Sequence, residues 1–165
     1  MAPFTLYDAS IVPFIRTLRN LSAILKKGEA YADEKGISHA EFLEGRLIAD
    51  MNPLTFQIQT ASNTAKNLAV RVAGAQDVVF KDDEKTFADL QARIAKTIEY
   101  LEGIDRKIFD GKESYEFAAV GREFTGLSYV TGFGIPNFFF HAATAYGILR
   151  SKGVEVGKAD WLGTR

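Results

Sequence analysis

Three separate stretches of this chain repeat their apolar residues at spacings of three and four. Tyr7, Ile11, Phe14, Leu18, Leu21 and Leu25 form the first stripe. Met51, Leu54, Ile58, Ala61, Ala65, Leu68 and Val72 form the second, and Phe87, Leu90, Ile94, Ile98 and Leu101 the third. That spacing lays each set along one face of an α-helix, and no strand could bury it. Each stripe must pack against another, so the pattern restricts the chain to helices gathered around a shared interior.

Local stop and start signals divide the stripes. The first helix is expected from Leu6 to Lys35, with Pro13 marking a kink or the true start and Gly36 ending it. Ser38-His39-Ala40-Glu41 reads as a capping box opening a short helix to Glu44. Asp50-Met51-Asn52-Pro53 is a cap-and-proline start for the second long helix, which ends before Gly74. Residues 75–85 are a polar connection. Thr86 and Asp89 cap the third helix, and Gly103 stops it.

Around Ser114–Ala118 the period changes to two, and Val120-Gly121-Arg122 supplies a turn before Glu123-Phe124-Thr125 resumes the alternation, which predicts a small hairpin. A fourth long helix is expected from Ser128 to Lys152, with Gly132, Gly134 and Pro136 kinking it or delaying its start. Gly153 ends that helix, and the tail through Trp161 should wrap over the bundle. The fold class is all-α: a four-helix bundle with a small β-hairpin before the last long helix, in one domain over residues 1–165. Helix four is apolar on every side at Phe138, Phe139 and Phe140, which predicts a homodimer with that helix near the interface.

Composition removes several function classes. Twenty basic and 21 acidic residues give a net charge of −1, with no Lys/Arg block, so nucleic acid is a poor partner. The absence of cysteine removes disulfides and thiolate metal sites together. No apolar run approaches the roughly 20 residues of a membrane span. Met1-Ala2-Pro3-Phe4-Thr5 lacks the basic and apolar regions of a secretory leader, so a cytoplasmic location is the expectation.

The chemistry-bearing stretch is Pro136-Asn137-Phe138-Phe139-Phe140-His141. Asn137 and His141, four apart, can project toward one spot. Gln57, between Leu54 and Ala61, should lean inward from the second helix. A first-row metal would want converging nitrogen or oxygen ligands here, but the chain holds only two histidines, and His39 reads as solvent-exposed. The favoured reading is a neutral core imidazole in a network with Asn137 and Gln57. Asp82-Asp83-Glu84 reads as a solvated run ahead of a helix, Arg150 as a dipole partner, and Asp50 as a cap or ion-pair partner of Arg46.

Leu47-Ile48-Ala49-Asp50-Met51-Asn52-Pro53-Leu54-Thr55-Phe56-Gln57, Phe124-Thr125-Gly126, and Pro136–His141 with Ala145-Tyr146 and Leu149-Arg150 resemble the domain-of-unknown-function family DUF1993 across nearly the whole chain. That family is similar to the DinB/YfiT-like superfamily of four-helix bundles, commonly dimeric and often carrying a divalent metal on three histidines. The resemblance implies a DinB-like bundle. His141, with Arg150 and Gly153 nine and twelve residues on, matches the place of the second ligand of the superfamily's His-x-x-x-His helix. Asn137 takes the place of the first, and the second helix offers Gln57 rather than histidine. With two of three histidines replaced, the resemblance implies a non-catalytic or small-ligand-binding dimer with no cofactor, whose pocket candidates are Gln57, Asn137 and His141. The alternative is a metal-dependent hydrolase or thiol-dependent transferase, holding zinc, nickel or manganese on His141, Asn137 and Gln57.

Overall fold

A computed structural model describes residues 4–164; Met1, Ala2 and Pro3, on which the leader reading partly rests, lie outside the described residues. The long helices are α1 (Leu6–Lys35), α3 (Leu54–Ala73), α4 (Phe87–Glu102) and α6 (Ile135–Ser151), with the short α2 (His39–Leu43) between the first two. A 3₁₀ turn (Arg106–Phe109), the hairpin β1 (Glu116–Ala119) and β2 (Arg122–Thr125), and α5 (Gly126–Tyr129) lead to a π-helical turn (Val130–Gly134) that runs into α6. The chain closes with α7 (Lys158–Leu162).

In the bundle α1 neighbours α4 and α6, and α3 neighbours the same two, so the first two long helices lie across its diagonal. The stripes supply the core: Ile11, Phe14, Leu18, Leu21, Ile58, Leu68, Leu90 and Phe138 are all fully buried. Phe14 and Phe138 stack at its centre with ring centroids 4.0 Å apart.

Most helix ends follow the sequence signals. Thr86 and Asp89 close the expected capping box on α4; Ser38 caps α2 through the Ala40 N–H without the expected return bond from Glu41, and Thr5 and Asp8 close a box on α1 that was not expected. Gly36 and Gly74 take left-handed conformations that satisfy the last carbonyls of α1 and α3. Pro13 neither starts nor breaks α1, which runs unbroken from Leu6. The second long helix starts at Leu54, so Met51 and Asp50 sit in the turn before it. Arg46 spends a guanidinium N–H on the Met51 carbonyl.

The fourth helix enters at Gly126, two residues ahead of expectation, and passes through its glycines as a π turn. Gly134 packs directly on α3: a Cβ there would lie 2.4 Å from Leu68 Cδ1. The hairpin turn is Val120-Gly121, with φ of 46° and 75°, the primed geometry that matches strand twist. Its stability comes from packing. Phe117 and Phe124 close on the buried Tyr129 at 5.3 and 5.2 Å, and Arg71 donates to the Tyr129 hydroxyl at 2.7 Å. The tail folds back on α1, where Asn20 donates to the Trp161 carbonyl and Lys27 pairs with Asp160 at 2.7 Å.

The segment after α3 also departs from its sequence reading. The connection between α3 and α4 has no regular secondary structure, yet it is strapped to both helices. The acidic run expected to be solvated instead feeds an Arg93 side chain that is 2% exposed. Arg93 Nε donates to Ser62 at 2.7 Å, Nη1 to the Lys81 carbonyl and to Glu84, and Nη2 to Asn63 and Asp82. Buried guanidinium charge demands this; the partners closest in sequence lie on the strap. Phe80 seals it, its ring facing the Arg93 guanidinium at 4.9 Å and Lys96 at 4.8 Å.

Candidate functional site

The seam between α3 and α6 brings the three expected residues together, though not at one point. His141 Nδ1 lies 2.7 Å from Gln57 Oε1. Asn137, one turn earlier, turns its amide to Thr64 Oγ1 at 2.8 Å. Residue number rises along α3 from 57 to 64 as it falls along α6 from 141 to 137, so the helices are antiparallel and the polar residues form two rungs. The expectation of Asn137 and His141 aimed at one spot is therefore corrected. Seven residues separate the partners on α3 against four on α6, so one network cannot hold both. Thr64 was missed in the sequence because a threonine on a helix seam carries no signal of its own.

Gln57 is 2% exposed and its amide is used at both ends. Its Nε2 donates to the Asn52 carbonyl at 2.9 Å, and a carbonyl can only accept. Oε1 is thus the atom presented to the imidazole, and an amide oxygen can only accept. His141 Nδ1 must carry the proton, which leaves Nε2 with its lone pair free. Half-burial of the ring disfavours the cation and moves the His141 pKa below its ordinary 6.5, so the imidazole is neutral near pH 7. The Phe56 and Phe140 rings stand edge-on to His141 at 5.9 and 5.2 Å, 37% and 56% exposed. Leu47, in the loop before α3, lies against Gly147 of α6 further along the same helix.

The donor set does not fit a divalent metal. It offers one imidazole nitrogen and weak amide oxygens: Gln57 Oε1 already accepts from His141, and Asn137 turns its amide nitrogen to Thr64. Among the described residues no group of three or more His, Cys, Asp or Glu side chains converges to hold an ion. Arg150 donates to the Val154 carbonyl at 3.2 Å, and Gly153 turns the chain with φ 93° beside Tyr31, so both serve the end of α6. His39 lies apart on α2, bonded to Asp33 at 2.8 Å and edge-on to Phe87. An open cavity of ≈ 530 Å³ lies against the strap, lined by Phe80, Lys81, Glu84, Arg93 and Lys96. Every N–H of Arg93 is satisfied within the protein, so the most buried cation there has nothing left for a ligand. Among the described residues no helix is long and apolar enough to cross a membrane.

A four-helix bundle with this hairpin, and a polar seam on its second and last long helices, defines a DinB-like protein. It is similar to a solved DinB family member protein from Shewanella denitrificans, with 40% sequence identity, a TM-score of 0.91, and coverage of 96% of this chain and 92% of that one. Residues 6–162 match the family described as domain of unknown function (DUF1993), and the chain belongs to that family. No curated protein matches it.

Proposed function

We propose that this protein is a non-catalytic binding bundle that holds a small molecule against the His141–Gln57 pair, without the three-histidine metal of its wider superfamily. The double use of the Gln57 amide carries this reading. A side chain locked between an imidazole and a backbone carbonyl orients His141, and its oxygen, already accepting from the ring, is a weak metal ligand. The outer face of α6 supports pairing with a second copy. From Pro136 to Leu149 the helix has no charged residue, and Pro136, Phe140 and Ala143 face solvent along one side. A second copy there would wall the open flank of the His141 site.

Metal analysis of untagged protein tests the reading. The expected result is no stoichiometric metal and a His141→Ala variant that only loses stability, by about 1–3 kcal/mol for one buried polar partner removed. Zinc, nickel or manganese near one per chain, absent from His141→Ala, would establish the metal-dependent enzyme instead. Sedimentation at micromolar concentration should give a dimer that Phe140→Asp converts to monomer. A strictly monomeric parent removes the pairing.

A further inference from the structure

We infer that the His141 site selects a neutral, planar molecule bearing one N–H or O–H, which donates to His141 Nε2 while its face lies on the Phe56 and Phe140 rings. The inference rests on the reading of this seam as a ligand site and adds the class of ligand. Three observations lead to it.

The first is the proton's position. Gln57 Nε2 is fixed on a carbonyl at 2.9 Å, so Oε1 faces the imidazole and His141 Nδ1 is the protonated nitrogen. The outward nitrogen is an acceptor, and a ligand that covers it without offering a hydrogen strips it of water for no return.

The second is the absence of charge. Leu54–Ala65 of α3 and Ile135–Leu149 of α6 contain no Asp, Glu, Lys or Arg. Arg46, in the loop before α3, donates to the Met51 carbonyl. A carboxylate or ammonium ligand would be desolvated against two helix faces that supply no counter-ion. The third is the surface itself: two aromatic rings, both more than one-third exposed in the single chain, stand edge-on to the imidazole. Aromatic faces and edges favour a flat π-system over a branched aliphatic one.

Indole, 1-methylindole and benzoate separate these requirements: nearly equal shape with and without the donor, and a flat anion. In NMR titrations of the full chain, indole should shift the amides of Phe56, Gln57, Phe140 and His141 and bind about tenfold more tightly than 1-methylindole. Benzoate should be weaker still. His141→Phe should bring the two indoles to equal affinity while keeping the fold. Side-chain ¹⁵N spectra should show His141 protonated at Nδ1 alone. Equal binding of indole and 1-methylindole to the native protein, tighter binding of benzoate, or protonation at Nε2 overturns the donor requirement and leaves a binding site standing. If no probe moves these four amides, the ligand-site reading itself fails.

Discussion

Arg93→Met is the most informative perturbation of this fold. The methionine keeps much of the stem's apolar volume but deletes five N–H donors. Among the described residues, Glu84, with a side chain 8% exposed, would then retain only Gln59 as a hydrogen-bond partner. Breaking a buried ion pair from one side costs about 3–5 kcal/mol, because the abandoned charge stays desolvated. Asp82 contributes less: its side chain is 50% exposed, and an exposed pair is worth about 0–1 kcal/mol. The expected loss of about 3–5 kcal/mol lowers Tm by roughly 6–20 °C at about 2–4 °C per kcal/mol for a domain of this size. Urea unfolding followed by circular dichroism measures it directly. Adding Glu84→Gln should recover a large part of the loss, since the double variant buries no unpaired charge, and that coupling is what neighbouring sites show. A loss below about 1 kcal/mol, or strictly additive variants, refutes the claim that the strap is held by buried charge.

Acid should weaken the protein through His141. Its pKa is lower in the folded state than in the unfolded chain, so the folded state binds fewer protons below pH 6.5. The stability from keeping the ring neutral is complete above 6.5 and is lost as pH falls toward the folded value. Denaturation at pH 7.5 and 5.5 should show this slope, and His141→Phe should flatten it. Val120→Asn should stabilise by about 1 kcal/mol, because φ 46° is costly for a β-branched residue and ordinary for Asn before Gly; a thermal melt that shows no gain removes the strain. Gly134→Ala should cost about 1–3 kcal/mol through its clash with Leu68, and Leu68→Ala in the same chain should relieve part of the clash, as chemical denaturation of the three variants would reveal.

The four long helices, the Thr86–Asp89 cap and the hairpin were legible from neighbouring residues alone, whereas the cap read at Asp50 is absent because α3 starts only at Leu54. A stripe of threes and fours, a Thr-x-x-Asp box or an alternating pair around Val120-Gly121 acts over a few positions, and local backbone sterics and hydrogen bonding decide the outcome. The inward turn of Gln57 came from the same kind of signal, its place between Leu54 and Ala61. The choice of partners across the bundle was a different matter. Asn137 meets Thr64 across 73 positions, and His141 meets Gln57 across 84. Such pairings depend on how far one helix slides along another, which core packing fixes and periodicity leaves free. Arg93 makes the point most strongly. The helical stripe of Phe87, Leu90 and Ile94 names no partner for it, and only the fold buries it and draws the acidic loop down over α3 and α4.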